Sequence, residues 1–141
     1  MSKELQKIEN FIVRHHVLSL ATYSDGRLSA CNLFYAYDNQ TQTFVVASSE
    51  DTTHIQDITI NTQVAGTIVL ETDEVGKIQG LQFRGEFVKL NDKALEKLYF
   101  KRFPYALAML PKLWKIQISF FKLTDNRLGF GKKIVWQREV M

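Results

Sequence analysis

Leu5, Ile8 and Ile12 recur at the spacing that puts side chains on one face of a helix. Ser2 stands where a cap belongs and Glu4 falls in the first turn, so the pattern predicts a helix at the start of the chain. From Val17 the period becomes that of a strand. Ser24-Asp25-Gly26-Arg27 supplies the Asp-Gly pair of a tight hairpin, where glycine accepts the positive φ that the turn requires. The next run, Leu28 to Tyr37, alternates Ala30, Asn32, Phe34 and Ala36 with Cys31, Leu33, Tyr35 and Tyr37. Both faces carry apolar weight, which predicts a central strand covered on both sides.

Asp38-Asn39-Gln40 reads as a turn and Thr43 to Ala47 as a third short strand. Ser48-Ser49-Glu50-Asp51-Thr52-Thr53 then gathers capping hydroxyls and acidic residues ahead of Ile55 and Ile58, predicting a short helix. Val64 to Leu70 and Ile78 to Leu90 read as strands around the loop Asp73-Glu74-Val75-Gly76, and Gly80 and Gly85 suggest bulges or close backbone approach. Asn91 or Asp92 caps a helix carrying Leu95, Leu98 and Tyr99, and Pro104 opens a second short helix through Leu110. Trp114 to Phe120 alternates cleanly as a strand, followed by a turn at Thr124-Asp125-Asn126 and a last segment through Trp136. Six or seven strands arriving in hairpins, with a few short helices, predict a mainly β (α+β) antiparallel barrel in one domain, 1–141.

Composition narrows the class. The 141 residues are 45% apolar and 23% charged, the balance of a globular protein. A lone Cys31 forms no intrachain disulfide and, with only three histidines spread along the chain, offers no metal-ligand spacing. No metal is expected. Met1 to Glu9 lacks a signal-peptide apolar stretch and nothing approaches the run of about 18 apolar residues that spans a bilayer. A cytoplasmic protein without a membrane partner is the expectation. The net charge of +3 is mild and its Lys and Arg are dispersed, so a small anionic ligand is favoured over nucleic acid.

A phosphate needs hydroxyl and amide donors and a cation, and a helix start supplies aligned N–H groups. Ser48, Ser49, Thr52, Thr53 and His54 have that makeup, and Arg84 on a later strand offers a bidentate cation to complete it. The plainer reading is that Ser49 or Thr52 caps a surface helix and Arg84 is a solvated strand residue. Gly129-Phe130-Gly131-Lys132-Lys133 matches neither the dinucleotide fingerprint nor the phosphate loop; it reads as a glycine turn with two lysines, exposed or in contact with a ligand. His15 and His16 at the end of the first helix read as structural, and Cys31 as a small buried hydrophobe. No protein nucleophile or catalytic residue is assigned.

The order of these elements, with the Ser/Thr-led helix ending near Asn61 and a strand carrying Phe83-Arg84-Gly85-Glu86, resembles the pyridoxamine-phosphate-oxidase-like, FMN-binding split-barrel superfamily over nearly the whole chain. Gly80 to Glu86, Arg102-Phe103-Pro104 and above all Thr124-Asp125-Asn126-Arg127-Leu128-Gly129-Phe130-Gly131-Lys132-Lys133 are similar to the bacterial YhbP-type family within it. The resemblance implies a split β-barrel, a homodimer and FMN at the subunit interface, its phosphate held by Ser48, Ser49, Thr53 and His54. His54 stands where many relatives have Lys or Arg. It further implies Asn32 and Phe34 beside the isoalloxazine ring and an approach of Lys132 and Lys133 from the other subunit. A flavin oxidoreductase needs no protein nucleophile, because the flavin itself carries the hydride. Two other classes stay open: a haem-binding or haem-degrading barrel using His15, His16 or His54, and a cofactor-free dimeric binding module.

Overall fold

The structure, a computed structural model, describes residues 2–139. Helix α1 (Lys3–Val13) begins where Ser2 Oγ accepts a hydrogen bond from the Leu5 amide at 3.0 Å, and it buries Leu5, Ile8, Phe11 and Ile12. Strands β1 (Val17–Ser24) and β2 (Arg27–Asp38) follow as a hairpin turned by Asp25 and Gly26, with φ of 51° and 77°. Two successive left-handed residues match the twist of the flanking strands. The chain continues through β3 (Thr43–Ala47), α2 (Thr53–Ile60), β4 (Gln63–Val69), β5 (Gln79–Lys89), α3 (Lys93–Arg102), β6 (Leu113–Asp125) and β7 (Lys133–Gln137). Single-strand spacing is interrupted by short 3-10 segments at Val75–Lys77, Pro104–Met109 and Asn126–Leu128.

All strands are antiparallel in one sheet of order β3-β2-β1-β4-β5-β6-β7, and an added β3–β6 pairing closes six of them into a ring. The long strand β6 makes this possible. Its first half, Leu113–Gln117, pairs with β3, and its second half, Phe120–Thr124, pairs with β7, so the barrel opens partway along β6. A mainly β split barrel is the result. Inside, Leu20, Gly66, Phe83 and Phe121 lie in one cross-strand row, and the Phe83 ring packs 5.1 Å from that of Phe44. Such aromatic pairs add about 0.5–1.5 kcal/mol beyond the burial of their area.

The helices close the barrel's openings. Tyr37 donates to Glu9 at 2.6 Å in a buried bond that ties α1 to β2, and burial drives the phenol far above its ordinary titration range. Helix α2 is anchored by the buried Asp57, which accepts from Thr22 Oγ1 at 2.8 Å and Arg27 Nη2 at 2.9 Å. Helix α3 packs Tyr99 against Ala36 and Val45 on the outside of the barrel. Its Arg102 donates to the carbonyls of Tyr35, at 3.1 Å, and His15.

Four expectations change. Only the last part of β2, from Tyr35, is buried on both sides; Leu28 and Phe34 on its outer face are 76% and 58% exposed, because α3 covers the sheet no further than Ala36. Gly85 does mark a bulge, where an added Cβ would meet the Gln117 carbonyl at 2.4 Å, but Gly80 has open space to Val69 at 3.9 Å. Thr52 holds the N-cap position of α2 without capping it; its hydroxyl bonds the Ser49 carbonyl instead. Thr124 and Asp125 belong to β6, and the turn follows them.

Candidate functional site

Strand β3 ends at Ala47, and the backbone of Ser48 is pinned on both sides: its amide donates to the Lys112 carbonyl at 3.0 Å and its carbonyl accepts from Trp114 Nε1 at 2.9 Å. The Ser48 hydroxyl therefore projects from a fixed point. It pairs with His54 Nε2, which also lies 3.3 Å from Thr52 Oγ1. His54 is half-buried, and this burial holds its imidazole below the ordinary histidine value, with Asp57 opposing. At neutral pH the cluster is uncharged. Ser49 and Thr53 are exposed beside it, Thr53 opening α2. The adjoining Lys112 is paired with Glu50.

A second feature occupies the outer face of the sheet that α3 leaves uncovered. Successive rows run across it: Ala30, Ala21, Ala65, Arg84 and Phe120 in one, and Asn32, Ser19, Thr67, Gln82 and Lys122 in the next. Small side chains in the middle of a sheet make a flat floor. A groove of about 510 Å3 lies over Ala21, Ala65 and Gly66, walled by Gln82, Arg84, Phe120 and Lys122. The Arg84 guanidinium, exposed at the groove wall, sits 4.2 Å over the Phe120 ring in a cation–π contact.

Within one protomer the predicted residues separate into groups. Ser48, Thr52 and His54 are joined by hydrogen bonds, with Ser49 and Thr53 exposed beside them in the chain, but Arg84 does not join them. Ala47 faces Leu113 while Arg84 faces Phe120, which places them roughly 23 Å apart along β6 at about 3.3 Å per residue. Sequence proximity to a glycine-rich strand gave no information on which end of β6 it would meet. Asn32 accepts the Ser19 hydroxyl at 2.8 Å, and Phe34 meets Phe103 edge-on at 5.7 Å, both on the uncovered face. Lys132 precedes β7 and Lys133 opens it, both exposed, and Lys133 faces Thr124, again at the far end of β6 from β3.

Ala21, Ala65, Gln82, Phe120 and Lys122 were not anticipated. Their only signal is alternation within strands, and alternation does not reveal which outward positions neighbouring elements leave bare. Of the two histidines at the end of α1, His15 is half-buried against the Phe11 ring at 4.3 Å, and burial lowers its pKa, while His16 is exposed. Cys31 is partly buried, and burial pushes its thiol up, away from reactivity. Among the described residues no three His, Cys, Asp or Glu side chains converge, and no helix is long and apolar enough to cross a membrane.

The closed ring with a trailing β7 defines a split-barrel protein, and solved structures agree on that fold. A haem-binding protein from Mycobacterium smegmatis superposes with a TM-score of 0.80 at 13% identity, over 97% of this chain and 59% of that one, so the chain spans less than two thirds of its length. An FAD-binding protein from Mesorhizobium loti gives 0.72 at 15% identity, over 87% of this chain and 92% of that one. No family model matches the sequence. The chain belongs to the UPF0306 family: it is 36% identical over 140 residues to the UPF0306 protein of Photorhabdus laumondii, covering 97% of this chain and 98% of the relative. It is likewise 36% identical over 137 residues to UPF0306 protein YhbP of Escherichia coli, covering 95% and 98%.

Proposed function

We propose that this protein is a homodimeric flavoprotein that binds FMN between its subunits and uses it in redox chemistry on a small substrate. The observation that carries the reading is the bare outer face: a flat Ala21-Ala65-Gly66 floor beside the Arg84–Phe120 cation–π pair suits a planar, electron-poor ring. The donors at the start of α2 suit its phosphate, with the exposed Ser49 and Thr53 as hydroxyl donors, first-turn amides behind them and the Ser48–Thr52–His54 hydrogen bonds beside them. These two groups lie too far apart in one protomer for a mononucleotide, so the reading requires that one subunit supply the phosphate donors and its partner the ring contacts. Exposed Leu28 and Phe34 on the same face give a second protomer an apolar surface to cover.

Bound FMN would supply hydride or single-electron transfer, and the protein's part is to bind, orient and keep water off the ring. Gln82 and Lys122 stand where hydrogen bonds to ring heteroatoms would be made, and Arg84 adds positive charge that favours a reduced, anionic flavin. Names of the fold neighbours include both haem and flavin binding, and the groove favours flavin. Among the described residues its lining holds no His, Cys, Met or Tyr: His15 packs on Phe11, and His54 Nε2 is engaged by Ser48 and Thr52.

The test is FMN titration by fluorescence quenching, with sedimentation velocity on the same samples. Saturable binding to a dimer is expected, weakened about tenfold or more in both Ser49→Ala and Arg84→Ala. Ala21→Glu, which puts a charge at the centre of the face, should give a folded monomer that no longer binds FMN. A wild-type monomer, or haem binding in place of FMN, sinks the proposal.

A further inference from the structure

A second cleft, of about 490 Å3, lies between α1 and the loop leading into β7, and it shares no lining residue with the groove on the outer face. Lys7, Asn10 and Arg14 follow one another at helical spacing on the α1 side that faces it, while Ile8 and Ile12 turn into the core. Opposite them, Arg127 is gripped by the buried Asp125: its Nε donates to Oδ1 at 3.0 Å and its Nη2 to Oδ2 at 2.9 Å. The loop around it is stiff. Asn126 donates to the Val75 carbonyl at 2.8 Å and accepts from the Gly131 amide at 3.0 Å. The Thr124 to Lys133 motif thus serves to hold one guanidinium in a set position.

Gln79 Oε1 accepts from Arg127 Nη2 at 3.1 Å and from Arg14 Nη2 at 3.4 Å, which puts the two guanidinium nitrogens at most 6.5 Å apart. Two like charges converge on one neutral oxygen, and the only carboxylate lining the cleft among the described residues, Asp125, is already committed to Arg127. Lys7 adds a third cation. Arg14 Nε donates to the Asn10 carbonyl at 3.1 Å and the Arg127 fork is taken by Asp125, which leaves the two Nη1 groups and Lys7 Nζ as the cleft's charged donors, and such donors suit a carboxylate or phosphate oxygen. Beneath the cations the floor is apolar: Phe11, Leu123 and Ile134 line it.

We infer that this cleft is a binding site for a small organic anion, its carboxylate or phosphate held between Arg14 and Arg127 and its apolar body lying on Phe11, Leu123 and Ile134. The inference stands apart from the flavin reading and uses none of its residues. It is tested by isotope-edited NMR of the full chain titrated with hexanoate, hexyl phosphate and, as the uncharged control, hexanol. Saturable shifts are expected at amides of residues 10–14 and 126–128 with at least one anion, and the tighter of the two identifies the headgroup. The Lys7→Ala/Arg14→Ala double variant, altered only on the exposed helix face, should bind about tenfold more weakly with an unchanged unfolding midpoint. Hexanol binding as tightly as both anions, an affinity indifferent to the double variant, or no saturable shift each overturns the site. Anion affinity should be unchanged at saturating FMN; displacement of the anion by FMN would overturn the separation of the two sites.

Discussion

Gly66 sits where the barrel interior and the outer groove are one residue apart, and replacing it by alanine has a calculable cost. An added Cβ would point inward, 2.2 Å from Phe83 Cζ and 2.4 Å from the Ser19 carbonyl oxygen. The ring is fully buried against Phe44 and cannot swing clear, and the carbonyl is part of the β1–β4 ladder. Overpacking of this kind costs about 1–3 kcal/mol, and loosening the ladder adds about 1 kcal/mol for each bond weakened. An estimate of about 3 kcal/mol lowers the melting temperature by roughly 9 °C in a chain of this size. Thermal unfolding at one fixed protein concentration measures it, since assembly would make the midpoint concentration-dependent. Gly80→Ala is the internal control: with Val69 Cγ2 its nearest neighbour at 3.9 Å, it should stay within about 0.5 kcal/mol of wild type. Adding Phe83→Leu to Gly66→Ala relieves the ring but leaves the carbonyl, so recovery should be partial. A Gly66→Ala protein melting within about 2 °C of wild type would refute the reasoning.

Two predictions concern pH. The Asp57 carboxyl is held below its ordinary value first by the Thr22 hydroxyl and then by Arg27, so the unfolded chain binds its proton at higher pH than the folded one; stability is present above the unfolded value of about 3.9 and is lost as pH falls through the lower folded value. Urea midpoints measured from pH 6 downward, to about pH 3, should therefore drop, and Asp57→Asn should start lower and lose part of that slope. Burial holds the His54 imidazole below the ordinary histidine value, so FMN affinity should gain an increment as pH falls through that lowered value. His54→Gln should lack the increment and His54→Lys should bind more tightly at every pH; equal pH profiles for wild type and His54→Gln would exclude a phosphate contact.

What was legible from the chain was what local chemistry governs. Ser2 and Asp92 cap their helices, Asp25-Gly26 turns the first hairpin, and the alternation of Trp114 to Phe120 marks β6, because caps, turns and periods depend on neighbours in sequence. The hydroxyl cluster from Ser48 to His54 was legible for the same reason: a strand end followed at once by a helix start keeps those residues together whatever the rest of the fold does. Arg84 was not, since its place depends on register along β6, which sets it opposite Phe120 and far from Ala47. Nor was the exposure of Phe34, because the pattern of β2 is the same whether its outer face meets a helix or a second subunit.

By itself, then, the sequence determined the strands, their turns and caps, and the donors at the head of α2, through interactions that span a few residues. The tertiary structure alone decided the closure of β3 on β6, the bare face with its alanine floor and Arg84 over Phe120, and the meeting of Arg14 with Arg127 across Gln79. Those contacts join residues far apart in the chain, and only the burial of one shared core selects which of the many pairings consistent with the same local pattern is made.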